Sequence, residues 1–279
     1  MLLKQGDSGD LVKVFQRGLN KLVSILLVDG DFGPATRDAV VDARVELDQP
    51  GPPEADDVFQ QTVEALPDPF PPLTGAGVTF IARMEVSGFR EYRRKYKNPV
   101  WPSAESGITI GIGYDLRFAD QDRLRADWGD ILPLDAVARL NAVLRVPGSD
   151  ERLALVHDVE VPFLSAMRVF QRHTLPRYLR ETQSIYPQLD GLSPPQRTAL
   201  VSLVYNRGAR LQDKDPVRQE RREMRRIRDL LAAGSVGAIP EQIEMMARLW
   251  DPNKLPGLIQ RRHDEARLWR SGFEAVQLS

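Results

Sequence analysis

The sequence predicts an α+β protein, mainly α, built from two domains, and three observations lead there. Three amphipathic helical stripes precede residue 66, a proline- and glycine-rich stretch follows at 67–77, and the remainder reads as helix with one stretch of strand period at Gly107–Leu116. At 279 residues the chain exceeds the usual single domain and accommodates one sizeable core plus a small accessory module. The expected boundaries are 1–66 for the small domain, 67–77 for the linker and 78–279 for the large domain.

In the small domain Leu11, Phe15, Leu19 and Leu22 form the first stripe, Thr36, Val40, Ala43 and Leu47 the second, and Phe59, Val63 and Leu66 the third. Between the first two, Asp29-Gly30 signals a turn and Pro34 suits the first position of a helix. Leu66-Pro-Asp-Pro-Phe-Pro-Pro-Leu-Thr-Gly-Ala-Gly77 reads as a semi-rigid linker able to extend roughly 30 Å at ~3.1 Å per residue. Beyond it, Phe80-Ile-Ala-Arg-Met-Glu85 places a lone carboxylate in an apolar helical stretch. In Gly107–Leu116 isoleucines at 108, 110 and 112 alternate with Thr109, Gly111 and Gly113. One face of such a strand packs inward, and the other offers a hydroxyl and two bare backbone positions to a polymer. Ser193-Pro-Pro-Gln196 opens a helix with core side Ala199, Leu200, Leu203 and Val204 and an end marked by Gly208; Leu255–Trp269 is a loop running into a last helix.

Composition narrows the function. Hydrophobic residues make up 42% and charged residues 28%, and no apolar run approaches the ~20 residues of a membrane span, so stable membrane insertion is not expected. The absence of cysteine excludes disulfides and thiolate metal sites, and His157, His173 and His263 lack ligand spacing; no metal and no cofactor are expected. The start of the chain does not read as a secretory signal, so synthesis in the cytoplasm is expected, with a target beyond the membrane reached by a pore or an injection machine. Residues 1–66 hold 6 Lys and Arg against 12 Asp and Glu, leaving a mildly basic 32 against 27 for the rest. The arginines of 218–228 are interleaved with Glu220, Glu223 and Asp229, which favours a solvated helix over a nucleic-acid patch.

Two carboxylates across a cleft are the basic apparatus of glycoside hydrolysis, and Glu85 with Asp115 is the first pairing to consider. Gly6-Asp-Ser-Gly-Asp-Leu-Val, Phe15-Gln16 and Asp29-Gly-Asp-Phe-Gly-Pro-Ala-Thr36 resemble the peptidoglycan-binding type 1 domain. The resemblance implies a three-helix wall-binding module without catalytic role. Residues 78–272 resemble bacteriophage-type lysozymes of glycoside hydrolase family 24, in their pesticin-like branch. That likeness rests on four pieces in order: Glu85, the strand 107–116, the helix 196–208 with Tyr205-Asn206-Arg207-Gly208, and Leu255-Pro-Gly-Leu-Ile-Gln-Arg-Arg262.

The resemblance implies cleavage of the β-1,4 bond between N-acetylmuramic acid and N-acetylglucosamine. Glu85 matches the general acid, which must stay protonated near neutral pH, and it lies beside apolar Ile81, Met84 and Phe89. Thr109 matches the threonine that holds the attacking water or the sugar. Ser103 stands where the compact phage pattern has its acidic partner and cannot serve as base; the pesticin-like spacing points to Asp115, with Glu105 as rival and an N-cap or turn role as the alternative for either. Six residues on a straight strand would separate Thr109 from Asp115 by roughly 20 Å, so the chain must turn near Gly113-Tyr114. Tyr205 and Asn206 suit the acetamido groups of a glycan, although Tyr205 equally suits a core. Of the tryptophans, Trp101 is the candidate sugar platform and the others read as packing residues.

The expected partner is bacterial peptidoglycan, bound by a monomer without nucleic acid, and the expected activity is that of a muramidase acting on the wall. A lytic transglycosylase, an injected antibacterial effector and a non-catalytic wall-binding protein are the alternatives.

Overall fold

The computed structural model describes residues 2–22, 25–102, 106–215 and 217–277, with side chains described up to Gly272 in the last helix. The chain is mainly helical, and its described residues form one two-stranded antiparallel sheet. None of the described helices is long and apolar enough to cross a membrane. Two compact units are present, residues 1–174 and 175–279.

The first unit begins with α1 (Asp10–Leu22), α2 (Pro34–Glu46) and α3 (Asp57–Glu64). Phe15 is fully buried, its ring stacking on Phe32 and meeting the edge of Phe59, both with centroids 6.2 Å away. Val12, Phe15 and Leu19 form the inner stripe of α1, whereas Leu11 is 55% exposed. The expected stripe holds at Phe15, Leu19 and Leu22, the last packed partly buried against this core, and Val12 takes the inner place expected of Leu11. Pro34 does start α2, and Asp56 caps α3 by accepting the Phe59 amide proton.

Gln16 is buried and organises the Asp29–Thr36 turn. Its Nε2 donates to Asp29 Oδ1 at 2.8 Å and to the Asp31 carbonyl at 3.0 Å, while its Oε1 accepts from the Gly30 amide at 3.0 Å. A buried side-chain amide carries donors and an acceptor that each need a partner, and the turn supplies both kinds.

Residues 66–77 are packed, which corrects the expectation of an extended spacer. Lys21 Nζ donates to the Leu66 carbonyl at 2.8 Å and the Glu64 carbonyl at 3.0 Å, and Leu73 is fully buried. Asp68 Oδ1 accepts the Gly75 amide proton, and Thr74 caps the helix that follows. Prolines remove amide donors but not carbonyl acceptors, so a lysine can still tie the segment down.

α4 (Gly75–Val86) buries Val78, Ile81, Ala82 and Val86, one face at helical spacing. It is followed by the short α5 (Phe89–Glu91), which continues as a π-helical turn, Tyr92–Tyr96. β1 (Thr109–Ile110) and β2 (Tyr114–Asp115) form the sheet, and then come α6 (Gln121–Trp128), α7 (Leu134–Leu140), α8 (Asp150–Ala154) and α9 (Phe163–Val169). Phe163 receives the edges of Phe89 and Tyr92 at centroid distances of 4.9 and 5.1 Å, and the buried Tyr92 hydroxyl donates to the Val161 carbonyl. Burial pushes the Tyr92 phenol well above its ordinary pKa, so it remains a donor.

The second unit holds α10 (Leu175–Ile185), α11 (Pro194–Arg207), α12 (Arg222–Ala232), α13 (Ile239–Met245) and α14 (Pro256–Gln277). Pro194 occupies the first turn of α11, Gln196 Oε1 accepts the Ser193 amide proton, and Gly208 ends the helix, as expected. Ala199, Leu200, Leu203 and Val204 are fully buried. On α14, Glu265 Oε1 accepts from Ser202 Oγ at 2.6 Å, Arg262 Nη2 at 3.0 Å and Arg261 Nε at 3.2 Å, and all four side chains are buried.

The arginine-rich stretch is more than a solvated face. Glu223 is 1% exposed and clamped by Arg222 and Arg248, while Arg225 Nη1 donates to the Leu211 carbonyl. Guanidinium groups have five donors in a planar fork, which lets them satisfy several acceptors of a folded chain at once.

Candidate active site

Glu85 is the penultimate residue of α4 and is half-buried, next to buried Val86 and above buried Ile81. The helix ends at Ser87, which adopts the left-handed conformation with φ 61°. For a residue with a Cβ this region costs about 1 kcal/mol, so the end of the glutamate-bearing helix is set by its packing rather than by local preference.

The stretch of strand period is a hairpin, with a turn of the kind expected near Gly113-Tyr114. β1 and β2 pair with Thr109 opposite Asp115 and Ile110 opposite Tyr114, joined by the turn Gly111–Gly113. Gly111 and Gly113 have φ of 59° and 65°, values that favour glycine at both ends of the turn. The backbone of Thr109 bonds outward to Val100, and the Leu116 amide donates to the Ile108 carbonyl. Thr109 and Asp115 are therefore a non-hydrogen-bonded pair, the kind whose Cα atoms lie about 4.5 Å apart with side chains on one face. The separation of roughly 20 Å expected on a straight strand vanishes, and the turn comes slightly earlier than Gly113-Tyr114.

Thr109 is half-buried, and its hydroxyl has no hydrogen-bond partner among the described residues. Asp115, in contrast, already carries a structural load. Its Oδ1 accepts from the Arg117 amide at 2.9 Å and caps the following short helix, Leu116–Phe118; both oxygens receive the Gly107 amide at 3.1 Å. A carboxylate has about four acceptor sites, so Oδ2 retains capacity for a water or a sugar hydroxyl. The N-cap role set beside the catalytic one is thus occupied. Gly107 is required by this arrangement, because a Cβ there would lie 2.6 Å from the Arg117 Cβ and 2.8 Å from the Arg117 amide nitrogen.

Gly111 corrects the picture of an open strand face. It is buried, and a Cβ at this position would meet the Trp128 ring at 3.0 Å and Ala166 at 3.3 Å, so its missing side chain makes room for the core. Gly113 is half-buried. Trp101 is half-buried, with its indole against Gly148, where an added Cβ would lie 2.6 Å from the indole nitrogen. Glu105 and Ser103 lie outside the described residues. Tyr205 and Asn206 belong to the second unit, in the last turn of α11; Tyr205 is 7% exposed and its ring lies 4.2 Å from that of Tyr178, as its core alternative expects.

One group of side chains at the hairpin escapes sequence reasoning. The Tyr114 hydroxyl donates to Asp127 Oδ2 at 2.9 Å, His173 Nδ1 lies 3.1 Å from Asp127 Oδ1, and Asp127 is 5% exposed. Tyr114 also meets Trp128 edge-on at 5.6 Å. These contacts anchor β2 and hence the position of Asp115. Residues 114, 127 and 173 share no sequence period, and only the paired placement of an aromatic hydroxyl and a strand residue hints at them.

The chain matches no protein-family model, and no curated protein is significantly similar to it.

Proposed function

We propose that the chain is a muramidase that hydrolyses the β-1,4 bond between N-acetylmuramic acid and N-acetylglucosamine in bacterial peptidoglycan, as a lysis enzyme. The observation that carries this reading is the hairpin register, which sets the unoccupied Thr109 hydroxyl beside the Asp115 carboxylate on one face. A water held by that pair meets the requirement for a positioned nucleophile, while Glu85 supplies the acid. In the proposed reaction Glu85 gives its proton to the leaving glycosidic oxygen. Water attacks the anomeric carbon, and its proton passes to Asp115 or to Glu105.

Residues 1–66 hold the enzyme on its polymer, raising the local substrate concentration. Glu85→Gln removes the proton donor at constant shape and should abolish muropeptide release from purified sacculi while wall binding persists. Retained hydrolysis in that variant would overturn the assignment.

A second reading is favoured by the cap role of Asp115. If its carboxylate is fully committed to the Gly107 and Arg117 amides, the C6 hydroxyl of N-acetylmuramic acid can replace water as nucleophile. The product then has an anhydro ring and is one water lighter, which mass spectrometry of released muropeptides distinguishes from the hydrolytic product.

A further inference from the structure

A cavity of about 370 Å³ opens where the Asp29–Thr36 turn faces the C-terminal end of α4 and the Ser87–Glu91 segment. Its walls combine apolar surface from Ile25, Leu26 and Phe89 with charges of both signs. Asp29 and Asp31 line one part, and Arg83 another.

These charges are only partly answered by the fold. Asp31 is exposed, and its carboxylate accepts no hydrogen bond among the described residues. Arg83 donates from Nη1 to the Ile25 carbonyl at 2.8 Å, and its other N–H groups have no described partner. Burial draws the Arg83 guanidinium below its ordinary pKa against the pull of Asp29. Burial also works to raise the Asp29 pKa, but hydrogen bonds from the Asp31 amide and Gln16 hold it below the ordinary aspartate value, so both groups are charged at neutral pH.

We propose that this cavity binds the peptide branch of the wall polymer, at a residue whose side chain ends in both an ammonium and a carboxylate, as diaminopimelate does. The ammonium sits against Asp29 and Asp31, and the carboxylate against Arg83. The inference rests on peptidoglycan being the substrate. A glycan chain alone offers no ammonium, and a lysine side chain at the same place supplies no carboxylate to the remaining Arg83 donors. The volume lies in the range of specific small-molecule sites.

The placement also couples binding to cutting. Arg83 precedes Glu85 by two residues on α4, so their side chains leave the helix about 200° apart, on nearly opposite sides of a cylinder about 10 Å across. The path round the helix from one side to the other is half its circumference, roughly 16 Å, which about five extended residues cover. A branch of that reach seated in the cavity therefore registers its own glycan strand against Glu85.

Calorimetry of the full chain tests this with a soluble tetrapeptide carrying diaminopimelate as its third residue and with the same peptide carrying lysine. The diaminopimelate peptide should bind at least about tenfold more tightly, and Asp31→Asn, a change at an exposed side chain, should weaken it about tenfold, as expected for turning a hydrogen bond between charged groups into one to a neutral acceptor. Absence of binding, equal binding of the two peptides, or affinity untouched by Asp31→Asn each overturns the proposal. Muropeptide release from sacculi is scored separately on the unmodified chain. Release without peptide binding refutes the cavity and leaves the muramidase reading standing; Asp31-dependent peptide binding without release does the reverse.

Discussion

Asp115 has an observed cap role and a proposed catalytic one, and substitution can separate them. Replacing it by alanine removes the acceptor for the Gly107 and Arg117 amides, one of them on a buried residue. Loss of a cap costs about 0.5–2 kcal/mol, and an unsatisfied buried donor adds about 1–3 kcal/mol. Asp115→Ala should therefore destabilise the first unit by about 1.5–5 kcal/mol. Asparagine keeps one side-chain oxygen for these amides and is as good a cap as aspartate, so Asp115→Asn should cost no more than about 1 kcal/mol. Its amide cannot take a proton from water, however, and loss of general-base assistance is worth about 10²–10⁴ in rate. Urea unfolding and muropeptide release, measured on both variants, give the comparison. An asparagine variant that is stable and cleaves sacculi at the unmodified rate would refute a proton-accepting role for Asp115. One that loses as much stability as the alanine variant would refute the account of the cap.

Three further outcomes are expected. Gly107→Ala forces a Cβ against Arg117 and the Asp115 carboxylate, and should cost about 1–3 kcal/mol by overpacking while lowering activity with it; an unfolding midpoint equal to that of the unmodified chain would contradict the close approach. Glu265→Gln replaces the charge that answers Arg261 and Arg262 in a buried setting, and should destabilise the second unit by about 3–5 kcal/mol, read from hydrogen exchange of α11 and α14. Burial opposes ionisation of Glu223, but hydrogen bonds and charge from Arg248, with Arg222, hold its pKa below the ordinary value of 4.5. A depressed carboxylate stabilises above its unfolded pKa and loses that contribution as pH falls through the folded one, so the stability gap between the unmodified chain and Glu223→Gln should be constant above about pH 5 and close below 4.5.

The elements of this fold that depend on neighbours along the chain are legible in the amino-acid sequence. Pro34 at the start of α2, the Ser193–Gln196 opening of α11, its end at Gly208 and the inward stripes of both helices follow from local backbone chemistry and helical period. The Asp29–Thr36 turn is equally legible, although the buried Gln16 amide that holds it shows only in the packing.

The candidate site is legible in kind but not in arrangement. Residue type and order single out Glu85, Thr109 and Asp115. They call for a turn near Gly113-Tyr114 but cannot place it at Gly111–Gly113, because alternating isoleucines suit a strand and a short hairpin equally well; Ile108, Ile110 and Ile112 are all buried in the hairpin. Whether Gly111 faces a ligand or a tryptophan depends on Trp128, seventeen positions on, and whether residues 66–77 reach out or fold back depends on Lys21. Local propensity acts over a few residues, whereas register, close packing and ion pairing act between residues that only the tertiary fold brings together. For that reason the order of residues dictates which helices form and which side chains can do chemistry, and the folded arrangement alone stands Thr109 and Asp115 side by side.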